Sequence, residues 1–239
     1  MAAPLLRPAR LFGDTLAATA GGGLAAATAA ITAVRSARPL HPRGVVGPCT
    51  VTLDGNPAAP TPLLRSEQTL TGTARFSWAV GTGPTRTDIH GLALRLRADD
   101  DAADFLFATT GQGLVSRYLL GVQRPGHFGF MGSLLPVKGE HGAVLLGVEP
   151  ALASTINGDL PPTRWTLSVT TATGPWIAIG TVECEWGDHD DSVRADPLQH
   201  HLPELPPYRW VTALREPAYW MARKVGPRAK AEAPSQVRS

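Results

Sequence analysis

Cysteine is scarce in this sequence. Its 239 residues hold two, Cys49 and Cys184, and no CxxC pair. Two isolated cysteines make neither a disulfide framework nor a zinc site. The plain expectation is free thiols in a cytoplasmic protein, with a single bridge left open. Runs of like charge are missing too. Lys and Arg total 22 and the acids 20, a net charge of +2. No basic stripe with interleaved aromatics occurs, so nucleic acid is not the expected partner. The basic excess collects in MARKVGPRAKAEAPSQVRS at the end. From 226 to 239 this reads as a frayed, disordered tail. Strongly hydrophobic runs are absent, with one partial exception. Residues 15–34, TLAATAGGGLAAATAAITAV, are apolar and follow Arg7 and Arg10, the layout of a signal or a short anchor. The stretch is mostly Ala, Thr and Gly, so insertion into a membrane would gain little. Alanine favours a helix over about 24–35, inside an Ala-rich N-terminal segment of 1–36. No internal repeat and no second core is visible, so a single domain over 1–225 is expected.

What is present is alternation. GLALRLRA (91–98) sends Leu92, Leu94 and Leu96 one way and Ala93, Arg95 and Arg97 the other. CTVTLDG (49–55) reads as a strand entering an Asp-Gly turn, and TGTARFSWAV (71–80) as a strand ending at GTGPT. DFLFATT (104–110), SRYLLGV (116–122), GAVLLGV (142–148), RWTLSVTT (164–171) and WIAIGTVECEW (176–186) complete the series. WVTALREPAYWMARKV, over about 210–225, reads as a helix. The fold class predicted is α+β: about eight strands in a closed or nearly closed antiparallel β-barrel, with flanking N- and C-terminal helices.

The chemistry-bearing residues fall into an ordered set. RPLHPRG (38–44) places His41 between two prolines, with Arg38 three residues before it and Gly44 three after. Proline fixes its own φ, so the approach to His41 is stiff. In strict alternation Arg75 and Ser77 share one strand face, with Phe76 on the other. Asp88-x-x-Gly91-x-Ala93 enters a strand, Asp104-Phe105 enters the next, and Arg215 precedes Tyr219 by four. On a helix that last spacing puts both on one face, where a guanidinium favours a phenolate.

In this order the set resembles the haem catalase family, in its small, catalase-related peroxidase branch. The match covers roughly residues 38–110 and 215–219. The resemblance implies haem b as cofactor, with Tyr219 as the iron ligand kept as phenolate by iron(III) and Arg215. It implies His41 as the base that takes a proton from a peroxide oxygen and returns it to the leaving oxygen. Ser77 would hold the other nitrogen of that ring, and Arg38 and Arg75 would meet the haem propionates. Hydrogen peroxide or an organic hydroperoxide, together with a reductant, would be the small-molecule partners. Self-association into a homo-oligomer is left open by the sequence.

The sequence departs from the family at three places. The asparagine that faces the peroxide in the family falls at Ala108, which has no hydrogen bond to offer. Thr109 is the nearest hydroxyl and is taken as a partial substitute, although alternation turns it to the opposite face. Weak or no true catalase activity follows, with peroxidase or hydroperoxide conversion in its place. The family's arginine before Gly91 is His90 here, read as a turn residue. Pro217 lies between Arg215 and Tyr219; as a first helical residue it would leave Arg215 outside the helix. The competing reading is a degenerate barrel without haem, acting as an apolar-ligand binder or scaffold. A polar cluster, Asp188 to Asp191 with His200 and His201, reads as an acidic surface loop rather than a metal site.

Overall fold

The computed structural model describes residues 43–59, 61–79, 85–98, 101–152, 160–187 and 195–225. The helix expected over 24–35, Arg38, His41, the tail from 226 and the acidic residues 188–191 lie outside the described residues. The strands are β1 (Arg43–Asp54), β2 (Glu67–Trp78), β3 (His90–Ala98), β4 (Asp101–Thr109), β5 (Met131–Gly132), β6 (Val137–Gly139), β7 (Gly142–Pro150), β8 (Arg164–Thr171) and β9 (Ile177–Cys184). Among the described residues there are two α-helices: a single turn, α1 (Pro62–Arg65), and α2 (Arg209–Val225), which follows the last strand.

Pairing runs β5-β4-β3-β2-β1-β9-β8-β7-β6, and β5 also pairs with β7. That second pairing closes the sheet, so eight antiparallel strands form a barrel and β6 is an extra strand on β7. The expected barrel is what is observed. The barrel lies in a compact unit that ends at Leu214; α2 from Arg215 onward belongs to a second unit.

Alternation decides what fills the barrel. Val45, Val51 and Leu53 from β1 face Phe76, Ala74 and Trp78 from β2 and Leu92, Leu94 and Leu96 from β3. Trp165, Val169 and Val182 close the far side, and each is fully buried. Phe76 stands edge-on to Trp78 at 5.5 Å and stacks on Trp165 at 6.1 Å. The interior is a packed core rather than a lumen.

One expectation is corrected. SRYLLGV (116–122) is not a strand: Ser116–Tyr118 is a 3-10 turn, and Leu119, Leu120 and Val122 are exposed. The strand that closes the barrel is Met131–Gly132, two residues long. The turn is pinned by Arg117, which is buried. Its guanidinium donates to the carbonyls of Gly113, Thr171, Gly174 and Gln112 and to the Thr170 hydroxyl. It also lies 5.5 Å from the Trp176 ring. Burying this cation is tolerable because carbonyl dipoles replace its hydration.

Candidate functional site

The outer face of β1 to β5 carries two of the five described site candidates, Arg75 and Ser77. Register places Gly44 opposite Ser77, Ser77 opposite Gly91, Gly91 opposite Ala108, Ala108 opposite Gly132, and Gly132 opposite Gly147. Residues opposite one another share a face, so these six form one transverse row, with steps of about 4.8 Å between strands. None has a side chain larger than a hydroxymethyl. Gly44, Ser77, Gly91, Gly132 and Gly147 are buried and Ala108 is half-buried. A Cβ on Gly44 would lie 2.9 Å from the Arg75 guanidinium carbon and 2.5 Å from the Phe76 carbonyl. Glycine there is what lets the arginine lie across β1.

Arg75 and Ser77 are 7% and 4% exposed, on the same face as the row. The shared face predicted for them is therefore observed. Ser77 Oγ donates to the Gly91 carbonyl at 3.3 Å. Thr109 is not brought to this face. It points into the barrel end, where its Oγ1 accepts from the His90 backbone N–H at 3.0 Å. The outer-facing hydroxyl is the next one. Thr110 is 6% exposed, and its Oγ1 is buried with no hydrogen-bond partner among the described residues. A Cβ on Gly132 would meet that oxygen at 2.7 Å, so the hydroxyl leans over the row two residues beyond Ala108. Alternation in 108–110 was enough to select Thr110 over Thr109 from the sequence.

His90 is not a turn residue. It is the first residue of β3, opposite Trp78, 5% exposed, and packed against Phe76 at 5.2 Å and Phe128 at 5.5 Å. Burial lowers its pKa to about 4, against a smaller opposing pull from Asp88. The ring is neutral at pH 7 and belongs to the core.

Asp104 anchors the outer face lower on β4. Its carboxylate accepts from Arg95 Nε and Nη2, both at 2.7 Å, and from the Asp196 N–H at 2.6 Å. His200 Nδ1 lies 3.1 Å away, and the Asp104 N–H donates to the His200 carbonyl. Asp104 and His200 thus fasten the 196–200 loop to the barrel. Among the described residues no cluster of His, Cys, Asp or Glu is arranged to hold a metal.

Helix α2 resolves the question of Pro217. It begins at Arg209, so Pro217 lies well inside it, and Arg215 and Tyr219 are both helical. At i and i+4 they fall on one helix face. Pro217 offers no N–H to the Ala213 carbonyl, so one hydrogen bond of the helix is missing there. Among the described residues, no helix is long and apolar enough to cross a membrane.

No protein-family model matches the chain, and no curated protein matches it by sequence. Among solved structures, the crystal structure of a fungal catalase is similar, with a TM-score of 0.55 at 11% identity. The match covers 95% of this chain and 65% of the catalase chain, so this chain spans less than two thirds of the catalase's length. At that identity the likeness establishes a catalase-like barrel fold and nothing finer.

Proposed function

We propose that the chain is a haem-dependent, catalase-like protein that converts hydrogen peroxide or organic hydroperoxides at the expense of a reductant. The observation that carries this reading is the row Gly44–Ser77–Gly91–Ala108 with Arg75 beside it, on the outer face of a catalase-like barrel. The described residues fit a flat prosthetic group on the barrel side. From Gly44 to Ala108 the row carries only small side chains, it is buried or half-buried although it faces outward, Arg75 lies beside Gly44, and the Phe130 and Trp176 rings cover the far end of the row over Gly147. Haem b, when bound, would supply redox-active iron. Tyr219 would hold the iron, with Arg215 one helical turn away favouring its phenolate. Arg75, and Arg38 from the preceding segment, would bind the carboxylates of the group. His41 would accept and return the peroxide proton, and Ser77 would orient its ring. Ala108 offers no hydrogen bond to the oxygen being displaced. Thr110 Oγ1 is the buried donor nearest that position on the same face, and it takes the role first given to Thr109. A hydroxyl beside an alanine is a weaker holder of peroxide than an amide, which favours peroxidase over disproportionation.

The test is an absorption spectrum of the full chain produced with haem supplied, paired with hydroperoxide consumption in the presence of a reductant. A Soret band that shifts in Tyr219→Phe, with consumption lost in His41→Ala, is expected. A folded chain that takes up no haem would overturn the proposal.

A further inference from the structure

The two cysteines are far apart in the sequence and adjacent in the fold. Cys49 on β1 stands directly opposite Cys184 on β9, at the seam where the first and last strands of the barrel meet. The ladder around them fixes the kind of pair. The Glu185 N–H donates to the Pro48 carbonyl at 3.0 Å and the Gly187 N–H to the Val46 carbonyl at 2.9 Å. The 48/185 and 46/187 pairs are therefore the hydrogen-bonded ones. The Cys184 N–H turns the other way, to the Thr163 carbonyl at 2.7 Å. By alternation 49/184 is a non-hydrogen-bonded pair, where Cα atoms lie about 4.5 Å apart and the side chains come closest. That spacing is within the range of about 4.4–6.8 Å that a disulfide spans. Both thiols are buried, at 4% and 3% exposure, on the same face.

We propose that Cys49 and Cys184 are an oxidisable dithiol that closes into a cross-strand disulfide within the chain. Glu183 and Glu185 alternate with Cys184, so the surface depression they line lies on the outer face, while both sulfurs point into the barrel core and are reached by local opening of the β1–β9 seam. The oxidant that suits the site is a small neutral hydroperoxide. One sulfur, as thiolate, attacks a peroxide oxygen; the O–O bond breaks, a sulfenic acid forms, and the other oxygen leaves as water. The second sulfur then attacks the sulfenic sulfur, the S–S bond forms, and a second water leaves. In sum two thiols and one H2O2 give one disulfide and two waters. Burial pushes the Cys49 thiol up to about 11 and the Cys184 thiol higher. Oxidation is therefore slow compared with that of an exposed low-pKa cysteine. The site is independent of the outer-face row and of haem.

The experiment treats the folded full chain with excess hydrogen peroxide, denatures it, and alkylates the remaining thiols before intact-mass measurement. The expected result is a chain lighter by two hydrogens, with alkylation falling from two sites to none and both sites returning after dithiothreitol. The oxidised chain should also melt several degrees higher, because the bridge restricts the unfolded state. Cys184→Ala should gain no bridge and leave Cys49 open to alkylation or to oxygen addition. Two alkylatable thiols after treatment, oxygen addition without loss of hydrogen, or linkage between chains would each overturn the proposal. If the alanine variant does not fold, the mass of the wild-type chain decides alone.

Discussion

On β2, Phe76 and Trp78 turn into the barrel while Arg75 and Ser77 turn out of it, and all four are buried. The inner pair is explained by packing: two large rings meet Trp165, His90 and Phe128 in a filled interior. The outer pair is not explained in that way. A guanidinium and a hydroxyl, the latter bonded to the Gly91 carbonyl, lie here beside a row with almost no side chains. The inner face therefore holds the molecule together, while the outer face carries small and polar residues there. The same division separates the two histidines that the described residues place on the barrel strands and their covering loop. His90 is neutral and in the core, whereas His200 sits beside a buried carboxylate and fastens a loop.

Substitutions can test that division, and the largest effect should come from inside. Phe76→Ala should cost about 3–5 kcal/mol in a denaturant titration, because it removes a ring from the centre of the aromatic cluster. Next is the pH dependence of His90. Its folded pKa of about 4 lies below the ordinary 6.5. The unfolded chain thus binds more protons between those values. Stability should be full above pH 6.5, fall as the pH drops toward 4, and level off below. The loss is on the order of 3 kcal/mol. His90→Phe should flatten that window of the pH–stability curve. Asp104→Asn should cost about 2 kcal/mol by weakening charge-assisted bonds to Arg95, with faster hydrogen exchange at the Asp196 amide. Least should come from the outer row. Thr110→Val should leave the thermal midpoint unchanged or raise it slightly, at most by about 1 kcal/mol, since the buried hydroxyl gives up no bond to a described residue. A large loss of stability in Thr110→Val would mean that the outer face is core after all.

Much of the barrel was legible because period-two patterning is a local property. GLALRLRA gives the interior face of β3 residue by residue, and the observed register agrees with it. The misreadings share one cause: each depends on contacts distant in sequence. SRYLLGV has the composition of a strand, but Arg117 finds its carbonyl partners on the 170–174 turn and holds the segment as an exposed turn. Met131–Gly132 is too short to show any period, and it counts as a strand only because β4 and β7 flank it. His90 follows a polar turn, and burial came from Phe76 and Phe128, which no local pattern reveals. The outer row is legible as a set of small residues, yet its alignment across strands needs the register. Cys49 and Cys184 looked isolated because barrel closure brings β1 against β9.

The account rests on the outer face of β1 to β5 being a seat for haem. The most direct measurement is a haem titration of the wild-type chain and of Ala108→Leu, followed at the Soret band, with circular dichroism to confirm that both are folded. Ala108 is half-buried at the middle of the row, so a leucine there would fill the proposed seat without entering the core. The prediction is saturable uptake by the wild-type chain and at least a tenfold weaker uptake by the variant. Equal uptake by both, or none by a folded wild-type chain, would contradict it.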